Sequence, residues 1–107
     1  MDKIRALQYF KRAAELNSFS LAAIEFDVPP SSISRRIKDL EQDLGVELIK
    51  RTTRNVSTTE LGNLYYGMIV EVLQKLNEAD ELISQHQGAP EGKIRISTIS
   101  GYGNKVL

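Results

Sequence analysis

A cluster of hydroxyl and basic side chains follows directly after two prolines in this 107-residue chain. Serine hydroxyls can exchange hydrogen bonds with base edges and phosphates, and an arginine guanidinium can bind guanine O6 and N7 through two hydrogen bonds. These residue types therefore indicate nucleic-acid binding and not catalysis. The candidate contact residues are Ser31, Ser32, Ser34, Arg35, Arg36 and Lys38, together with Pro30 ahead of them.

The same stretch has the start and stop signals of a helix. Pro30 suits the first helical position, because its missing N–H would be unpaired there in any case. Pro29 precedes a proline and is therefore held in the extended geometry that a cap position needs. Gly45 is a suitable residue just past the end. The sequence thus predicts a helix from about Pro30 to Leu44.

Winding this helix at about 100° per residue separates its side chains into two faces. The apolar residues form one narrow stripe, whereas the hydroxyl and basic residues near the N-terminal end point the other way. Acidic residues at the far end are expected to point away from phosphate. An amphipathic surface helix with a merely solvated basic face is the alternative. The stripe is Ile33, Ile37, Leu40 and Leu44, and the acids are Asp39, Glu41 and Asp43.

Two shorter helical segments precede this helix. Asp2 is a candidate N-cap for a helix from Lys3 to Glu15, and Ser20 is a candidate N-cap for a short helix, "LAAIEF". Asp27 and Val28 then leave only a tight connection to the proline-led helix. A short alanine-containing helix, a tight turn and a helix with a basic outer face are typical of a DNA-binding helix-turn-helix.

The segment "VELIKRTTRNVSTT" is rich in β-branched residues and predicts two short strands around a basic turn. Such a hairpin can serve as a wing beside the helix-turn-helix. Lys50 and Arg51 can meet phosphates, and Arg54 is placed to enter a minor groove, whose negative potential attracts arginine. Taken alone, the segment is also consistent with an ordinary exposed hairpin.

A long helix is predicted from Glu60 to about Gln87, capped by Thr59, with a length of roughly 40 Å. Its apolar residues recur with a period near 3.5–3.6 and can pack against the first helix or against a second copy of the chain. Dimerisation is the favoured interpretation, because a body of about 58 residues cannot cover so long a helix. The stripe consists of Leu61, Tyr65, Met68, Val72, Leu76, Ala79 and Ile83.

Composition excludes several classes of function. The formal net charge is zero, but residues 1–58 carry a net +2 and residues 59–107 a net −2, so the basic character is local. The absence of cysteine excludes disulfides and thiolate metal sites, and His86 is the sole histidine. No apolar run reaches membrane-spanning length. No catalytic set is evident, and a cytoplasmic protein without enzyme activity, cofactor or metal is predicted.

The segments combine into a mainly α fold, in which a winged helix-turn-helix of three helices and a two-stranded wing precedes a long dimerisation helix. The predicted boundaries are 1–58 for the winged domain, 59–87 for the helix, 88–92 for a hinge, and 93–107 for the start of a second domain. The favoured interpretation is a dimer that binds double-stranded DNA. The alternative is a winged-helix protein-interaction module without sequence-specific DNA binding.

In order and spacing, these motifs resemble the N-terminal region of LysR-type transcriptional regulators. The resemblance is carried by "SISRRIKDLE", "LGVELIKRTTR" and "TELG", and it covers essentially the whole chain. It implies a homodimer bound to an inverted-repeat operator through the major and minor grooves. It also implies that the complete protein forms a tetramer and binds a small-molecule effector in its C-terminal domain.

The resemblance also implies roles for individual residues. Arg54 corresponds to the minor-groove residue of the wing, Arg51 to a backbone contact, and Ser100 to the effector loop. The chain departs from the family in its two prolines: Pro29 stands where Ser or Thr usually caps the helix, and Pro30 where Gln is common. Pro30 can make only apolar contact, for example with a thymine methyl. The implied major-groove residues are Pro30, Ser31, Ser32, Ser34 and Arg35.

Overall fold

The computed structural model of the chain describes residues 2–52 and 56–86. Four helices and two short strands follow one another in the predicted order. They are α1 (Lys3–Leu16), α2 (Phe19–Phe26), α3 (Pro30–Leu44), β1 (Ile49–Arg51), β2 (Val56–Thr58) and α4 (Glu60–His86). The described residues up to Val72 belong to one structural unit, and a second unit begins at Leu73, within α4. Within the described residues, none of the helices is both long and apolar enough to cross a membrane.

Separate residues cap the two ends of α1 and the start of α2. Asp2 caps the start of α1, since its Oδ1 accepts a hydrogen bond from the Arg5 amide at 3.1 Å. Asn17 ends α1 in the left-handed conformation with a φ of 53°. Ser18 follows at once and caps α2, because its Oγ accepts from the Leu21 amide at 3.0 Å. The predicted cap at Ser20 is therefore wrong, and α2 begins earlier.

The turn between α2 and α3 is as tight as predicted. Asp27 adopts the left-handed conformation, and the Val28 amide donates to the carbonyl oxygen of Ala23 at 3.1 Å. Ala22 and Ala23 are buried, and their small side chains let the neighbouring helices approach closely. This packing fixes α2 against α3 as a helix-turn-helix.

The core lies between the first three helices and the start of the hairpin. Tyr9 of α1 meets Phe26 of α2 edge to face, with ring centroids 4.8 Å apart. In α3 the predicted stripe is buried at all but its last position, Leu44, which is exposed. The largest fully buried side chains are Tyr9, Phe10, Ile33, Ile37, Leu40, Leu48 and Ile49.

The two strands form an antiparallel hairpin of three residue pairs, Ile49 with Thr58, Lys50 with Ser57, and Arg51 with Val56. Thr59 then caps α4, as predicted, because its Oγ1 accepts from the Gly62 amide at 2.9 Å. The same hydroxyl donates to the carbonyl oxygen of Glu47 at 2.8 Å. One threonine therefore ties the start of α4 to the chain that enters the hairpin.

The first turns of α4 pack on α1. The Tyr65 and Phe10 rings lie with centroids 5.7 Å apart, and Ile69 is buried. The Tyr66 hydroxyl donates to a carboxylate oxygen of Glu15 at 2.5 Å. This bond stabilises the neutral phenol and raises the pKa of Tyr66.

An ionic network joins α1 to α2. Nε and Nη2 of Arg12 donate to the two carboxylate oxygens of Glu25 at 2.6 and 2.7 Å, and Nη1 donates to Glu15 at 2.9 Å. The Arg12 bond lowers the pKa of Glu25. Partial burial pushes the pKa of Glu15 up, but hydrogen bonds from Tyr66, Lys11 and Arg12 outweigh it, and the net pKa is lowered.

Candidate nucleic-acid interface

The N-terminal end of α3 begins on backbone geometry and not on a side-chain cap. Pro29 has φ −66° and ψ 149°, the extended conformation predicted for it, and it makes no side-chain capping bond. The Ser32 amide donates to the Pro29 carbonyl oxygen at 3.0 Å. Pro29 and Pro30 are both exposed. The two prolines therefore present an apolar edge at the end of the helix where positive backbone potential is strongest.

The outer face of α3 carries the predicted hydroxyl and basic residues. Ser31, Arg35 and Lys38 are exposed, whereas Ser32 and Ser34 are half-buried on the flanks. Ser31 and Arg35 are four residues apart, so their side chains lie one above the other on the same face. The exposed face therefore presents a hydroxyl and a guanidinium in line on a helix, and one helix fits the width of a major groove.

Arg36 lies on a flank and has a neighbour within the chain. Its guanidinium carbon is 6.0 Å from the centroid of the Tyr9 ring, which is within the range of a cation–π contact. Tyr9 is itself buried. Arg36 therefore supports the packing of α3 on α1 as well as contributing positive charge near the outer face.

Strand β1 presents its two basic residues in opposite directions. Lys50 is exposed, but Arg51 turns inward and forms a salt bridge from Nη1 to Glu41 Oε1 at 3.1 Å. Glu41 does not lie on the outer acidic end of α3 as expected, since only 7% of it is exposed. The prediction that Arg51 contacts a phosphate stays untested. Arg54 and Ser100, together with the predicted hinge and second domain at 88–107, lie outside the described residues.

The positions of two residues near the interface were not predicted from the sequence. Glu41 follows buried Leu40. On the helical wheel it lies about 80° from Ile33, at the border of the apolar stripe. This angle is the sequence signal that Glu41 can be buried. Ile24 is 74% exposed at the end of α2 and lines a groove with Val28, Pro29 and Pro30. The helical periodicity does not indicate that Ile24 is exposed, because an exposed apolar residue fits the helical pattern as well as a buried one.

The apolar stripe of α4 is largely uncovered. Tyr65 is half-buried against Phe10, but the other six residues of the predicted stripe are exposed, and Met68 reaches 68%. The face of α4 that meets the rest of the first unit is instead marked by Gly62, Tyr66 and Ile69, about a quarter turn away. Within the described residues, packing against helix one therefore accounts for Tyr65 and leaves the other six stripe residues exposed.

Comparison with known proteins places these features in a family. The sequence profile of bacterial regulatory helix-turn-helix proteins of the lysR family matches residues 4–63. The chain is 45% identical over all its 107 residues to the uncharacterized HTH-type transcriptional regulator YhjC of Escherichia coli, and it spans 36% of the length of that protein.

Solved structures give the same result. The structure resembles the BenM DBD in its complex with catB site 1 DNA, with a TM-score of 0.74 and 28% identity over 84% of this chain and 98% of that one. It also resembles the CbnR DBD in a DNA complex, with a TM-score of 0.74 and 27% identity over 78% and 97% of the two chains. The predicted winged helix-turn-helix is thereby confirmed. The chain belongs to the LysR family of bacterial regulatory helix-turn-helix proteins.

Proposed function

We propose that the protein is a sequence-specific DNA-binding transcriptional regulator, in which α3 enters the major groove and the hairpin lies along the minor groove. The observation that carries the proposal is the outer face of α3. Its exposed hydroxyl and basic side chains stand at the N-terminal end of a helix whose opposite face is buried. The proposal is supported by relatives named as transcriptional regulators and by two similar domains solved with DNA.

The proposed DNA contacts divide into two kinds. Pro30, Ser31 and Arg35 reach base edges, because they are exposed near the N-terminal end of α3. The remaining residues bind phosphate or set the register of the protein on the duplex. They include Ser32, Ser34, Arg36 and Lys38, and Arg54 is proposed to enter the minor groove.

The active form in this proposal is a homodimer that reads two half-sites of an inverted repeat. Exposed Leu61, Met68 and Val72 would be covered by the α4 helix of a second copy. Burying such a continuous apolar stripe is the main source of stability in helix–helix association. A two-fold axis between the copies requires a DNA site with the same symmetry.

The proposal extends to the complete protein. In this proposal the complete protein catalyses no reaction. It acts as a regulator in the bacterial cytoplasm, where the chromosome lies. A C-terminal domain binds a small-molecule effector, with Ser100 in its first loop, and four chains assemble into a tetramer. The support for these points is the membership of the chain in a family of regulators.

Selection of binding sites from a random duplex pool, at roughly physiological salt, tests the proposal. We expect a dyad-symmetric sequence to emerge, because two α3 helices related by a two-fold axis read the same bases twice. Binding without any sequence preference would contradict the proposed role of the outer face of α3. Complete failure to retain DNA would favour the protein-interaction module, in which the exposed row of serine and basic residues has no purpose.

A further inference from the structure

Buried Glu41 of α3 and half-buried Arg51 of β1 form an ion pair between α3 and the hairpin. We infer that this pair is a clamp that positions the hairpin on α3, and that Lys50, not Arg51, is the phosphate contact of β1. The inference rests on the proposed function, because it divides the DNA-binding work among residues of the same interface. It reassigns Arg51 from a DNA contact to a positioning residue.

Glu41 accepts three hydrogen bonds. Its Oε2 accepts from the amides of Leu48 and Ile49 at 2.8 and 3.0 Å, and its Oε1 accepts from Nη1 of Arg51 at 3.1 Å. Leu48 and Ile49 are themselves buried. A side chain of α3 therefore holds the backbone at the start of β1 and the side chain at its end, so the hairpin cannot tilt without breaking charge-assisted bonds.

The surroundings of Arg51 leave it poorly placed to meet a phosphate. Its guanidinium carbon lies 5.4 Å from the centroid of the Phe19 ring at the start of α2. Nε and Nη2 are buried and have no hydrogen-bond partner within the described part of the chain. The third nitrogen, Nη1, is bound to Glu41. A phosphate would have to displace either the ring or the carboxylate to reach this guanidinium.

Lys50 is the basic residue of β1 that can reach DNA. Successive side chains of a strand point to opposite faces, so Lys50 and Arg51 cannot both face the same duplex. Lys50 is exposed, and its cross-strand partner Ser57 is exposed as well. Because the clamp holds β1 at both ends, it sets the position of the Lys50 ammonium relative to the outer face of α3.

The direction in which DNA affinity changes when Glu41 is replaced distinguishes a positioning role from a simple effect of charge. Glu41→Gln removes a negative charge, which by electrostatics alone would leave DNA binding unchanged or make it tighter. If Glu41 positions the hairpin, binding of the selected duplex weakens instead, by about tenfold, the equivalent of losing one base-pair contact. Asp39→Asn is the matched control, because Asp39 is an exposed acid on the same helix. The control should bind the duplex as tightly as the wild type or more tightly.

The slope of log K against log salt tests the basic residues. Each lost phosphate contact lowers the magnitude of this slope by about 0.9 per half-site. Lys50→Met should show that reduction. Arg51→Met should weaken binding at every salt concentration while keeping the wild-type slope. The double variant with Glu41→Gln should lose no more affinity than the stronger single variant, because both changes break the same clamp.

Circular dichroism and thermal unfolding establish that each variant is folded at the assay temperature, and Arg51→Met carries the test if Glu41→Gln does not fold. A reduced slope for Arg51→Met, or unchanged or tighter binding by Glu41→Gln, overturns the clamp. A wild-type slope for Lys50→Met overturns the assignment of Lys50. If the wild-type protein binds no duplex, the proposed function fails, and the roles assigned to Lys50 and Arg51 in DNA binding fail with it.

Discussion

The α-carbon of Gly62 packs directly on the backbone carbonyl of Leu48. A Cβ atom at residue 62 would lie 2.0 Å from that carbonyl oxygen and 2.9 Å from the carbonyl carbon. The oxygen cannot move away freely, since it accepts a hydrogen bond from the Thr59 amide at 2.9 Å. The close approach of α4 to the hairpin therefore requires a glycine at this position.

Gly62→Ala is expected to reduce the free energy of unfolding by about 3 kcal/mol, because the added methyl group forces the start of α4 away from Leu48. Gly67→Ala is the matched control. A Cβ at residue 67 meets no atom within 4 Å, so the helix should gain roughly 0.5–1 kcal/mol from the better helix former. Urea denaturation of both variants measures the difference. Equal stability of the two variants would contradict the close packing.

Arg35→Ala is expected to weaken binding of the selected duplex by about 1–3 kcal/mol and to relax specificity at one base pair per half-site. The reason is that Arg35 is the exposed guanidinium on the outer face of α3. Fluorescence anisotropy over a panel of single base-pair variants measures both effects. Lys75→Ala removes an exposed cation of α4 and serves as the control. Unchanged discrimination across the panel would exclude Arg35 as a base contact.

Replacing thymine with deoxyuridine in the selected site tests the apolar edge formed by the two prolines. At the base pair read by Pro30, loss of the methyl group should cost about 0.8 kcal/mol, or roughly fourfold in Kd. The Pro30→Ala variant should no longer distinguish the two bases there. A site in which no uridine substitution weakens the wild-type protein would exclude methyl recognition by Pro30.

Acid should destabilise the fold through the carboxylates bound to Arg12. The pKa of Glu25 and that of Glu15 lie below the usual 4.5 in the folded protein. The stabilisation is therefore complete above the unfolded pKa and is lost as pH falls through the folded one. The free energy of unfolding should drop below about pH 4.5, and Arg12→Gln should make that drop smaller. Chemical denaturation at neutral and acid pH measures it, with Lys38→Gln as a control. A drop of equal size in Arg12→Gln and in the wild type would exclude this network.

Met68→Glu should convert the proposed dimer into a monomer, because it places a charge in the middle of the apolar stripe on α4. We expect the dimer dissociation constant to rise by at least about a hundredfold, and DNA affinity to fall with it. Gln74→Glu adds the same charge on the opposite face of the helix and should leave the dimer intact. Light scattering after size-exclusion chromatography measures the mass. A dimeric Met68→Glu variant would place the interface elsewhere.

Periodicity and capping chemistry were sufficient to predict the four helices and most of the apolar face of α3. Buried Ile33 and Ile37 opposite exposed Arg35 follow from the 3.6-residue repeat alone, and Gly45 ends α3 at the predicted position. The exposed stripe on α4 was predicted in the same way. Such features depend on residues within one or two turns of each other, so the local sequence contains the information that they need.

Contacts between residues distant in sequence were decided only by the tertiary structure. The sequence does not show that Glu41 is buried beside the hairpin, or that Arg51 is half-buried against it. Burying these charges is favourable only when the partner and the strand amides are in place, and that geometry exists only after α2, α3 and β1 have packed together.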